Sequence, residues 1–95
     1  MKVNLLPKNV ISKMNAREMK TYNKLMKEFV DTGKAMEKAQ EEASMYVRKM
    51  KNPTTLQQKK AKRLMNAGFR AEYFAFKKAD EWDAFKTKMK KKYLL

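Results

Sequence analysis

Apolar residues recur along this chain at alternating steps of three and four, the spacing that keeps them on one face of a helix. From Met19 the series runs through Tyr22, Met26, Phe29, Gly33, Met36, Gln40, Ala43, Val47 and Met50, with Gly33 and Gln40 its weak members. A second series, Ala61, Leu64, Gly68, Ala71, Ala75, Trp82, Phe85 and Met89, has heptad-like spacing and is interrupted at Lys78. Both patterns predict long amphipathic helices.

Helix stops and starts divide the chain in the same way. Pro occurs only at positions 7 and 53 and Gly only at 33 and 68, so long stretches carry no breaker. Pro7 suits the first turn of a short helix over about 8–14, where its missing N–H is not needed. Asn15 and Glu18 have capping-box spacing and predict a long helix over about 16–51. Gly33, beside the indifferent helix formers Asp31 and Thr32, marks a candidate kink at 31–34. Asn52 and Pro53 end that helix, because the residue before a proline is pushed out of the α region. Thr54 and Gln57 then form a second capping box, predicting a turn at 52–54 and a helix over about 55–90, followed by a basic C-terminal tail.

The expected fold is therefore all-α and single-domain over 1–95: a short N-terminal helix, then two long antiparallel helices forming a hairpin. Folding back at Asn52 and Pro53 sets residue i opposite 105 − i, which pairs Glu42 with Arg63, Glu28 with Lys77 and Lys24 with Glu81. Exposed pairs contribute only about 0–1 kcal/mol each, so they indicate register more than they supply stability. The small residues Ala61, Gly68, Ala71 and Ala75 would let the helices approach closely. One seam between two helices is a marginal core for 95 residues, so the leftover stripe of Tyr22, Phe29, Phe69, Phe76 and Trp82 is expected to pack against a second copy, giving a homodimeric helical bundle.

Charge changes the picture from fold to partner. Lys and Arg number 24 against 10 Asp and Glu, a net charge of +14, which is more than solubility needs and points to a polyanion. From Ala43 to Ala71 there is no carboxylate, while Arg48, Lys49, Lys51, Lys59, Lys60, Lys62, Arg63 and Arg70 gather around the turn. Free N–H groups at the start of the second long helix would add to this cationic tip. A second cluster, Lys86, Lys88, Lys90, Lys91 and Lys92, lies at the C-terminus, either as a contact arm or as a solubilising tail. Phe69, Tyr73 and Phe76 share a helix face and read first as core. The sharper alternative has Tyr73 stacking on an unpaired base.

The same composition excludes much chemistry. With no His and no Cys, the ordinary zinc, copper and haem ligand sets are missing, as are thiol nucleophiles and imidazole bases. Neither Glu37, Glu41 and Glu42 nor Asp80, Glu81 and Asp83 match a calcium loop, and there is no Gly-rich phosphate loop. No enzyme activity, metal or cofactor is expected. Nowhere do about 18 apolar residues follow one another, and Asp80, Glu81 and Asp83 argue against Trp82, Phe85 and Met89 entering an anionic membrane. The expected location is the cytoplasm, and the excess of 20 Lys over 4 Arg, with 9 Met, suits an A/T-rich genome such as those of many phages, which would make that cytoplasm the host's.

Three functional classes fit. The first is a low-specificity binder of RNA or DNA that contacts mainly the phosphate backbone. The second is a small regulator or inhibitor, such as a phage product, that docks on an acidic host protein or a ribonucleoprotein in a defence or toxin system, its charge serving to steer encounter. The third is an assembly accessory, for which a rigid basic rod would also serve.

Overall fold

The computed structural model describes residues 3–94. Three helices follow in order, α1 (Lys8–Lys13), α2 (Ala16–Lys49) and α3 (Thr55–Leu94). The two long helices pack antiparallel as an extended hairpin of 60 × 19 × 17 Å, and α1 folds back against α3 at the open end. No strand occurs among the described residues.

The boundaries follow from local chemistry. The Pro7 carbonyl accepts from Val10 N and Ile11 N, so Pro7 sits just outside α1 rather than within its first turn. At Asn15 both halves of the capping box form: Glu18 N donates to Asn15 Oδ1 at 2.8 Å, and Asn15 N donates to Glu18 Oε1 at 3.0 Å. Two orphan donors of the first turn are thereby satisfied. The helix α2 then runs unbroken through Gly33, so no break occurs at 31–34. Thr32 Oγ1 bonds back to Glu28 O at 2.7 Å, and Gly33 is buried against the neighbouring helix, where packing outweighs its poor propensity.

The turn reverses the chain at Asn52, which adopts a positive φ of 46°, a conformation asparagine tolerates better than most residues. Thr54 N donates to Gln57 Oε1 at 2.9 Å and Gln57 N to Thr54 Oγ1 at 3.2 Å, completing the second capping box. At the far end α3 continues to Leu94, so the expected basic tail is helix.

Burial is uneven along the hairpin. At the open end Leu6, Val10, Met14, Tyr22, Trp82 and Met89 form the core, with Trp82 only 1% exposed. The rings of Tyr22 and Trp82 lie 5.0 Å apart in a tilted arrangement. Towards the turn the buried residues are Gly33 and Ala43 on α2 and Ala61, Gly68 and Ala75 on α3. Small side chains let the helices touch there with little apolar area to lose to solvent.

The expected pairing is close but displaced by one residue. Glu28 meets Lys78 at 2.5 Å rather than Lys77, and the Lys60 ammonium stands 4.9 Å from the centre of the Tyr46 ring. A step of one residue turns a helix by about 100°, which swaps the side chain facing the neighbour. Lys78, which interrupts the apolar series, is therefore the inward-reaching cation, and it also holds Glu81 at 3.2 Å. Lys24 instead approaches Glu28 at 4.0 Å along its own helix, and Glu42 and Arg63 form no ion pair among the described residues.

Two readings of the aromatic residues are corrected. Tyr22 and Trp82 are consumed by the core of the single chain, so they belong to no outer stripe. Phe69, Tyr73 and Phe76, read first as core, are 62%, 65% and 58% exposed. On α3 the positions packed directly against α2 are taken by Gly68 and Ala75, and Phe69 and Phe76 stand exposed along the flank of that contact.

Candidate nucleic-acid interface

The closed end of the hairpin brings together the last turn of α2 and the first three turns of α3. Arg48, Lys49, Lys51, Lys59, Lys60, Lys62 and Arg63 are all exposed there, with Arg70 further along α3. None of these eight makes an ion pair among the described residues, whose bridges all involve Lys24, Lys78, Lys86 or Lys92. No acidic residue occupies the first turn of α3, so the positive end of its dipole is not neutralised.

Tyr46 was not singled out by sequence patterning, yet it lies within this end. Together with Met45 and Leu64 it floors a shallow groove whose edges carry Lys49, Lys60 and Glu42. Its neighbourhood with Lys60 depends on the hairpin register, which periodicity along one helix does not reveal. The basic run around Arg48 was the available signal, and it marks the end without marking the ring.

Glu42, at the edge of the Tyr46 groove, is the carboxylate nearest this end. Eight of the ten carboxylates fall in the segments 31–43 and 72–84, which also hold four lysines. Gln40 Nε2 donates to Glu72 Oε2 between the two helices at 3.2 Å, whereas Asp80, Glu81 and Asp83 flank Trp82 of the open-end core.

At the open end the lysines divide into engaged and free. Lys86, expected to contact phosphate, is buried: its Nζ donates to Asn4 O at 2.9 Å, lies 3.3 Å from Asp83 Oδ1 and sits over the Trp82 ring. It is structural, because its aliphatic stem fills the core while the ammonium finds a carbonyl. Lys92 is committed to Glu18 at 2.7 Å, and Tyr93 OH also donates to that carboxylate. The hydrogen bond from Lys92, followed by those from Tyr93 and Asn15 N, lowers the Glu18 pKa to about 2. The bond to Glu18 raises that of Lys92. Lys88, Lys90 and Lys91 remain exposed; Lys88 and Lys91, three residues apart, share one helix face, and Lys90 lies on another.

Tyr73 stands apart from the tip, about 27 Å along α3 from Thr55 at 1.5 Å per residue. Its ring meets Phe74 edge-on at 5.7 Å, and of the basic tip residues only Arg70 is one turn away. Among the described residues no cluster of His, Cys, Asp and Glu suits a metal ion, and no helix is long and apolar enough to cross a membrane. No family model, curated protein or solved structure matches this chain.

Proposed function

We propose that this protein is a non-catalytic binder of nucleic acid, RNA or DNA, that grips the phosphate backbone with its cationic tip and has little sequence preference. The observation that carries the reading is the set of seven exposed basic side chains around the turn, with Arg70 further along α3, none in an ion pair among the described residues, beside a helix N-terminus with no acid in its first turn. Arg forks and mobile Lys heads match phosphate geometry, and each contact releases condensed counterions. The groove floored by Tyr46 offers a ring beside the Lys60 ammonium, with Lys49 and Glu42 also on its edges, a setting in which an unpaired base can stack. Tyr46 therefore replaces Tyr73 as the leading stacking residue. The reading places the encounter in the cytoplasm, the host's if the chain is phage-encoded.

The exposed apolar side chains on α3 call for a further surface to cover them. In this reading a second copy supplies it, making a bundle of four long helices. A regulator docking on an acidic protein would use the same tip, and it is separated from the nucleic-acid reading by comparison of ligands. Fluorescently labelled single- and double-stranded RNA and DNA are titrated with wild type and with the combined variant Lys59→Ala, Lys60→Ala, Lys62→Ala, Arg63→Ala. Loss of affinity across all sequences of the preferred strand type supports the reading. Equal affinity of the variant, with helix content retained, contradicts it.

A further inference from the structure

Lys62, Phe69, Phe76 and Asp83 lie at successive intervals of seven residues on α3, and all four are exposed. Seven residues are nearly two helical turns, so the four share one stripe. The stripe runs along the flank of the α2–α3 contact, where Phe69 closes one groove with Gln40 and Ala43, and Phe76 closes the next with Phe29 and Met36. Read from the tip, its order is cation, phenyl, phenyl, carboxylate. That order is complementary to itself only when reversed.

From this pattern we infer that two copies of the chain pair through this face about a two-fold axis between residues 72 and 73, with their α3 helices antiparallel. Phe69 of one protomer then lies against Phe76 of its partner, and Lys62 lies against Asp83 at both ends of the contact. This arrangement is isologous, as a closed dimer requires. A parallel arrangement would set Lys62 against Lys62 and Asp83 against Asp83. Asp80, also exposed and on the same flank, reinforces the carboxylate end. Among the described residues Asp83 pairs with the neighbouring Lys86, and it is exposed enough to meet a second cation.

The size of the face fits. The stripe from 62 to 83 is about 32 Å long at 1.5 Å per residue, and the hairpin is 19 Å across. A contact of that footprint buries on the order of 1,200 Å² in total, the lower end of the range for specific interfaces. Pairing of Phe69 with Phe76 twice over places four aromatic rings at its centre, where binding energy concentrates.

The geometry has a functional consequence, which rests on the phosphate-binding reading given above. Each tip lies about 20 residues from the two-fold axis, so the two tips point in opposite directions about 60 Å apart. One dimer then holds two nucleic-acid segments, or two distant sites of one molecule, rather than a single continuous footprint.

Sedimentation equilibrium of the nuclease-treated full chain, without nucleic acid, tests the pairing. Wild type is expected to sediment as a dimer, and Phe69→Ser with Phe76→Ser as a monomer of unchanged helix content by circular dichroism. Lys62→Asp or Asp83→Lys alone is expected to weaken the dimer tenfold or more, and the two together to restore it. Orientation is read from oxidation, since the natural chain has no cysteine. A mixture of Lys62→Cys and Asp83→Cys chains is expected to cross-link, and Lys62→Cys by itself is not. A monomeric wild type, a double charge exchange that fails to restore association, or efficient self-cross-linking of Lys62→Cys overturns the inference. An intact dimer that does not bind nucleic acid leaves the pairing standing and removes only the phosphate-binding reading.

Discussion

The ammonium of Lys92 lies 2.7 Å from the carboxylate of Glu18, joining the last turn of α3 to the first turn of α2. Because Glu18 also completes the capping box with Asn15, one carboxylate both starts α2 and closes the open end of the hairpin. Its pKa, lowered to about 2, ties stability to pH. A carboxylate with a depressed folded pKa contributes stability that is fully present above its ordinary value near 4.5 and is lost as pH falls towards 2. Glu18→Gln is therefore expected to lower the melting temperature at neutral pH, with the difference from wild type shrinking as pH drops through that window. Thermal melts followed by circular dichroism at a series of pH values check this. A difference independent of pH would show that the carboxylate's charge contributes nothing.

Gly68 is a helix-interior glycine with room for a methyl group. A Cβ at this position would lie 3.6 Å from Gln40 Cγ, an ordinary van der Waals contact. Gly68→Ala is expected to stabilise the chain by about 0.5–1 kcal/mol through helix propensity and reduced freedom of the unfolded chain. Chemical denaturation of the two proteins measures it, and a destabilised variant would mean that the helices pack more closely than described here.

The Tyr22 hydroxyl and Trp82 Nε1 are buried without a hydrogen-bond partner among the described residues. An unpaired buried hydroxyl costs about 1–3 kcal/mol, so Tyr22→Phe is expected to be neutral or stabilising. Tyr22→Ala, by contrast, empties space beside Trp82 and is expected to cost about 3–5 kcal/mol. Both are read from denaturant midpoints.

Lys86 and Lys90 separate structure from binding within a single lysine-rich run. Removal of Lys86 takes away the bond to Asn4 O and the packing over Trp82, so Lys86→Ala is expected to destabilise the fold by on the order of 1–2 kcal/mol. Lys90→Ala, at an exposed position, is expected to leave stability within about 0.5 kcal/mol. Melting curves of the two variants decide it, and equal effects would contradict the assignment of Lys86 to the core.

The contrast between those lysines shows how far sequence carries. Local signals located the elements well: Asn15 with Glu18 and Thr54 with Gln57 mark helix starts through hydrogen bonds spanning three residues, which form as expected, and the steric restriction before Pro53 marks the turn between the helices. Relations between helices were less legible. A one-residue difference in register decides whether Lys77 or Lys78 meets Glu28, and the same uncertainty hid the approach of Lys60 to Tyr46. Phe69, Tyr73 and Phe76 looked like core because aromatic residues at helical spacing usually are, yet Gly68 and Ala75 take the inner positions. The tip itself was legible, since the run of residues lacking any carboxylate brackets the turn. The engagement of Lys86 was not, because Asn4, its partner, lies 82 residues away.

Salt dependence of nucleic-acid binding tests the central claim most directly. Nuclease-treated protein is titrated into labelled single- and double-stranded RNA and DNA over a series from low to physiological ionic strength. Backbone binding by the tip predicts a linear fall of log affinity with log salt, with a slope corresponding to about five or more phosphates, and a shallower slope for the variant lacking Lys59, Lys60, Lys62 and Arg63. A slope near zero, or no binding at physiological salt, would contradict the claim and direct the search to an acidic protein partner.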